Sequence, residues 1–167
     1  GNVTTGEKVT ATSGTVSSGT GTGIISVQAA EAGQIISLTA VDGSITNSGL
    51  LKAGGTASLY TGKGTVTVTG AVDAKDNVTV KTTNGDVLVQ NNIISHSGDI
   101  SVTSKIGDIR SSGVFNASKT VSLNALTSGE ISFFIIRSKS CLRIIRFKHF
   151  LPFIEIVIFF IMDIWII

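Results

Sequence analysis

Residues 1–130 contain no cysteine, proline, methionine or tryptophan; the single copies, Cys141, Pro152, Met162 and Trp165, all lie further on. Without a pair of cysteines no internal disulfide can form, so the fold must hold without bridges. The absence of proline suits a chain whose strands each need their N–H for a ladder. No stretch before residue 131 spaces its apolar residues by three and four long enough for a helix. Charge of either sign is sparse there, eight Lys/Arg against nine Asp/Glu, which gives no case for nucleic-acid binding. His96 and His149 have no partner at metal-ligand spacing, and neither a phosphate-binding glycine loop nor an Arg-Gly-Asp triplet occurs.

What is present is a repeat. An apolar–hydroxyl–apolar triplet opens each pass, at Ile36, Ala57, Val78, Ile100 and Val121, in steps of 21, 21, 22 and 21. A second marker keeps the same period: glycine two residues before a branched apolar residue, at Gly43, Gly64, Gly85, Gly107 and Gly129. Two markers on one period predict a solenoid. Within each pass the apolar residues alternate with period two, and Val, Ile and Thr dominate, which predicts strands. Twenty-one residues are too few for a strand–helix–strand crossover, which needs about 30 or more. They suffice for three short strands joined by turns, one coil of an all-β parallel β-helix.

The third coil shows the expected layout. Val78-Thr79-Val80, Val87-Leu88-Val89 and Ile93-Ile94 are the strands, with turns at Asn84-Gly85 and Asn91-Asn92. Val78, Val80, Val87, Val89 and Ile93 point inward. So few apolar side chains cannot offset the ordering of a whole coil, so stability must come from stacking. Outside, Ser37, Ser58, Thr79, Ser101 and Ser122 form one column, and Thr39, Tyr60, Lys81, Thr103 and Asn124 another. These columns make a solvated face or a surface for a glycan or receptor.

Three further patterns bear on chemistry. Asp86, Asp108 and Glu130 stack at a step of 22 with Lys105 and Arg110 near Asp108. A β-helical polysaccharide lyase or hydrolase needs converging carboxylates, or carboxylates with Ca²⁺. No long loop is expected to wall a cleft, so the column reads as a solvated corner; no catalytic, cofactor or metal residue is assigned. Asn2, Asn77 and Asn116 begin glycosylation sequons, which arise by chance in a Ser/Thr-rich chain. Ile25-Ser26-Val27 resembles a coil opening but precedes Ile36 by 11 residues. A broken or shortened register is therefore expected before residue 36, with residues 1–23 as an irregular terminal coil or a lead-in.

Composition changes after Ile131. All 19 glycines lie at or before Gly129, and seven of the eight phenylalanines lie beyond it. The repeat markers stop there, so residues 132–167 are expected to form a hydrophobic, basic tail that adds no coil and is dispensable to the fold. Three readings stand: a membrane anchor spanning Leu151–Ile167 with Arg137–Lys148 on the cytoplasmic side, an out-of-frame extension, or a packed cap.

Ile36-Ser37-Leu38-Thr39-Ala40, Gly43-Ser44-Ile45-Thr46-Asn47-Ser48-Gly49 and Leu51-Lys52-Ala53-Gly54-Gly55 carry a family resemblance, echoed at Gly98-Asp99-Ile100-Ser101-Val102 and Gly107-Asp108-Ile109-Arg110-Ser111-Ser112-Gly113. Over residues 24–131 the chain resembles the repeat region of filamentous haemagglutinin-like exoproteins, adhesins of two-partner secretion. The resemblance implies a right-handed β-helix, export through an outer-membrane transporter to the bacterial surface, and a stalk or adhesive role toward a glycan or protein receptor. A lone Cys141 agrees with export. Beginning at Gly1, with neither a signal peptide nor a secretion-recognition domain in view, the chain is expected to be a piece of a longer protein.

Overall fold

The structure, a computed structural model, describes residues 1–127, 129–132, 135–138 and 141–146, and every regular element among them is a strand. The chain opens with β1 (Val3–Ala11), β2 (Val16–Thr22) and β3 (Ile25–Ala32). Full three-strand coils follow: β4 (Ile36–Asp42), β5 (Ile45–Asn47) and β6 (Leu51–Ala53); then β7 (Ala57–Lys63), β8 (Val66–Val68) and β9 (Val72–Ala74). Next come β10 (Val78–Asn84), β11 (Val87–Val89) and β12 (Ile93–Ser95), then β13 (Ile100–Ile106), β14 (Ile109–Ser111) and β15 (Val114–Ala117). The last described strands are β16 (Thr120–Ala125), β17 (Ile131–Ser132), β18 (Ile135–Ser138) and β19 (Cys141–Arg146).

All pairings are parallel and join each strand to its counterpart one coil away. The long strands stack as β2-β4-β7-β10-β13-β16-β19. The short ones stack in two columns, β5-β8-β11-β14-β17 and β6-β9-β12-β15-β18, joined at one end through β3. The expected parallel β-solenoid is therefore what forms.

The inward residues assigned to the third coil, Val78, Val80, Val87, Val89 and Ile93, are all buried. The same parity fills the core above and below, with Ile36, Leu38 and Ile45 in one coil and Ile100, Val102, Ile109 and Phe115 in another. Branched side chains, with alanine at the narrower positions, let successive coils interdigitate at strand spacing.

The core also contains hydroxyls. Thr61, Thr82 and Ser104 occupy one buried column at the end of the long strands. Each donates to the carbonyl of the turn glycine one coil back: Thr61 to Gly43, Thr82 to Gly64 at 3.0 Å and Ser104 to Gly85 at 2.8 Å. A half-buried carbonyl at each corner thus has its partner. The glycines themselves stack closely. A Cβ on Gly64 would meet the Gly43 carbonyl, and one on Gly85 the Gly64 carbonyl, while φ is +126° and +147° at the two positions. Both the positive φ and the close approach exclude a side chain there.

Two boundaries differ from the sequence expectation. Before residue 36 the coil is shortened, with Val16 standing 20 residues ahead of Ile36 and Ile25 standing 20 residues ahead of Ile45, but the half-period offset of Ile25 is not itself a break. Ile25, Ser26 and Val27 pair with Ile45, Thr46 and Asn47, so they belong to the second face of the coil, not the first. Val16 is the residue that lines up with Ile36. Half a period is the distance between two faces of one coil. In these early coils the corner between second and third strands has not formed; β3 runs straight through it, pairing with β5 at one end and β6 at the other. β1 pairs along β3 with a bulge between Thr5 and Lys8.

Past Ile131 the ladder continues. β18 pairs with β15, Ile136 opposite Phe115, and β19 pairs with β16, Leu142 opposite Val121 and Ile144 opposite Leu123. The tail expected to begin at residue 132 therefore starts no earlier than the end of β19. The Leu142-Arg143-Ile144 triplet keeps the period, 21 residues after Val121, but its charged centre hid it. Leu151–Ile167, the expected membrane anchor, lies outside the described residues.

Candidate functional site

The acidic column is built into the scaffold. The Asp108 N–H donates to Asp86 Oδ1 at 2.8 Å, and the Glu130 N–H donates to Asp108 Oδ1 at 2.8 Å. Arg110 Nη2 donates to Asp108 Oδ2 at 2.6 Å. Each aspartate clamps the following coil by accepting a backbone donor that the turn has freed. Other corner side chains do the same: the Asp99 N–H donates to Asn77 Oδ1 at 2.8 Å, the Thr120 N–H to Asp99 Oδ1 at 2.8 Å, and the Ile24 N–H to Asn2 Oδ1 at 2.9 Å. Two of the sequon asparagines, Asn2 and Asn77, thus have structural partners. Lys105 is exposed beside this edge. Among the described residues no three His, Cys, Asp or Glu side chains gather as a metal site.

The long-strand face is a row of half-buried polar side chains that contact one another. Lys81 Nζ lies 5.9 Å from the centre of the Tyr60 ring. Tyr60 and Thr83 hydroxyls are 3.4 Å apart, and Asn124 Nδ2 donates to Ser122 Oγ at 3.1 Å.

A concave site lies elsewhere, on the outside of the third-strand corner. Its first column is Thr10, Glu31, Lys52 and Asp73, registered opposite one another by the parallel pairing. Its second column follows the alanines that end each third strand. The Gly33 and Gly54 N–H groups donate to the carbonyls of Ala11 and Ala32 at 2.8 Å; those of Lys75 and His96 donate to Ala53 and Ala74 at 3.0 Å. Two successive steps of this column, Gly33 and Gly54, have no side chain, while Thr12 and Lys75 flank them. The notch that results is a groove of about 480 Å³ with the exposed Gly33 and Gly54 at its base, next to the core residues Ala32 and Ala53.

Charges alternate along the groove. Lys8 bonds Glu31, Lys52 Nζ stands 3.5 Å from the same carboxylate, and His96 Nε2 is 2.7 Å from Asp73 Oδ1. The hydrogen bond and charge of Lys8, helped by Lys52, hold the Glu31 carboxyl below the ordinary carboxylate range. Lys75 has no ion-pair partner among the described residues.

The sequence reading assigned no function to these positions. Asp73 and His96 meet from adjacent coils, 23 residues apart, so neither lies at metal-ligand spacing from the other along the chain. The signal was the coil period itself: Glu31, Lys52 and Asp73 step by 21, as do Gly33, Gly54, Lys75 and His96. Compared with known proteins, the chain matches no protein-family model, no curated protein and no solved structure.

Proposed function

We propose that the chain is a structural and adhesive segment of a secreted bacterial surface exoprotein, a stalk without catalysis of its own. The observation that carries this reading is the uninterrupted ladder. From β1 to β17, strands are joined by connections of two to five residues, so no inserted loop walls a catalytic cleft, and each coil serves mainly to hold its neighbours at fixed spacing. The carboxylates that an enzyme of this architecture would use accept backbone N–H groups instead. The repeat's resemblance to haemagglutinin-like exoproteins supplies the setting: passage through an outer-membrane transporter, then display toward a glycan or protein receptor.

Two measurements test this. Beads coated with the chain should adhere to epithelial monolayers or to bacterial cells above albumin-coated beads. Incubation with polygalacturonate, hyaluronan and alginate, with and without Ca²⁺, should release no new reducing ends or unsaturated products. Turnover of any of these polymers would overturn the stalk reading, and adhesion no better than albumin would remove its adhesive part.

A further inference from the structure

The groove at the third-strand corner has the features of a small-ligand site, and its chemistry narrows the ligand. At about 480 Å³ it falls in the range of small-molecule pockets and is far too small for a folded partner. A peptide adding as a strand needs an open sheet edge, whereas β6 and β9, which form the groove's wall, are paired on both sides. Lys8 and Lys52 are committed to Glu31, and His96 to Asp73. That leaves Lys75 as the uncommitted cation, room for one negative group. A polyanion would carry its further charges against Glu31 and Asp73. The exposed Gly33 and Gly54, bare of side chains, leave room for a ring to approach the backbone, while the two carboxylates and the Thr10 and Thr12 hydroxyls suit a ligand rich in O–H groups.

We propose that this groove holds one carboxylated sugar residue, its carboxylate on Lys75 and its hydroxyls toward Glu31 and Asp73. The inference rests on the adhesive part of the proposed function and gives it a receptor class: glycans displaying single acidic sugars, of the sialic or the uronic type. Why the groove stands at this level is physical. It is where the corner column loses its side chains for two coils and regains one as lysine.

Ligand-observed NMR and calorimetry on the whole chain test it, with sialyllactose and the methyl glycoside of galacturonic acid as probes and lactose and acetate as controls. One or both acidic sugars should bind at least about tenfold more tightly than lactose or acetate, and whichever binds identifies the source of the carboxylate. Lys75→Ala should weaken that binding about tenfold, and added salt should weaken it too. Lys81→Ala, on the long-strand face, should leave it unchanged, and circular dichroism should show both variants folded. Acidic sugars binding no better than lactose or acetate, or Lys75→Ala and Lys81→Ala acting alike, would overturn the proposal. Wild-type chain that adheres to cells yet binds neither acidic sugar would overturn the groove and leave the adhesive stalk standing.

Discussion

At the residue scale, one position per coil decides whether coils can stack. The turn glycines form a column in which each would-be Cβ runs into the carbonyl of the glycine one coil back, from Gly23 over Gly1 to Gly129 over Gly107. The sequence period located five of these glycines and assigned them to turns. It did not show that the turns touch. Gly64→Ala is expected to cost at least about 3 kcal/mol, from backbone strain at φ +126° and from collision with the Gly43 carbonyl. Gly6→Ala, where nothing lies within 4 Å of the added carbon, should be close to neutral. Urea denaturation of the two variants checks this, and equal midpoints would refute the stacking argument. The inward hydroxyls are a related case. Parity alone places Thr82 inside after Val78 and Val80, but its polarity argued for the surface. The Gly64 carbonyl it bonds explains why the interior keeps it.

At the scale of the element, the short strands are two to four residues long and depend on their corners for alignment. Side chains at these corners accept N–H groups of the following coil, which makes the acidic column a clamp between turns. The sequence showed that Asp86, Asp108 and Glu130 align and read as a solvated corner; it did not show that the two aspartates accept backbone N–H groups of the next coil. Asp108→Ala removes the acceptor for Glu130 N–H and the partner of Arg110, and should cost about 1 kcal/mol, since the freed N–H is near water. Asp108→Asn keeps the Oδ1 acceptor and should recover most of that loss. The comparison is made by thermal unfolding. If Asn is as damaging as Ala, charge rather than the backbone clamp is what matters there.

At the scale of the whole molecule, the solenoid's stability accumulates with each coil, because every added strand completes the ladder of the one before. The chain truncated after Arg146 should therefore melt at a higher temperature than the chain truncated after Ile131. The shorter form loses β18 and β19, uncovers the edges of β15 and β16, and leaves Phe115 and Leu123 at an open end. It should also self-associate more readily. Scanning calorimetry with light scattering reads both effects. Equal melting temperatures would show that the pairing past Ile131 contributes nothing.

The sequence by itself determined the period, the parallel β architecture and which side chains face inward. A β alternation locked to a 21-residue repeat leaves no other way to bury its apolar positions. It could not place Ile25, because a half-period offset describes equally a broken register and a second face; only pairing with Ile45 distinguishes them. Nor could it carry the ladder past Ile131, where Leu142-Arg143-Ile144 keeps the spacing but not the hydroxyl. The groove was the least legible feature. Its residues are separated by whole coils, in steps of 21 along the chain, and only the tertiary register brings Asp73 to His96 and leaves Lys75 beside two bare glycines.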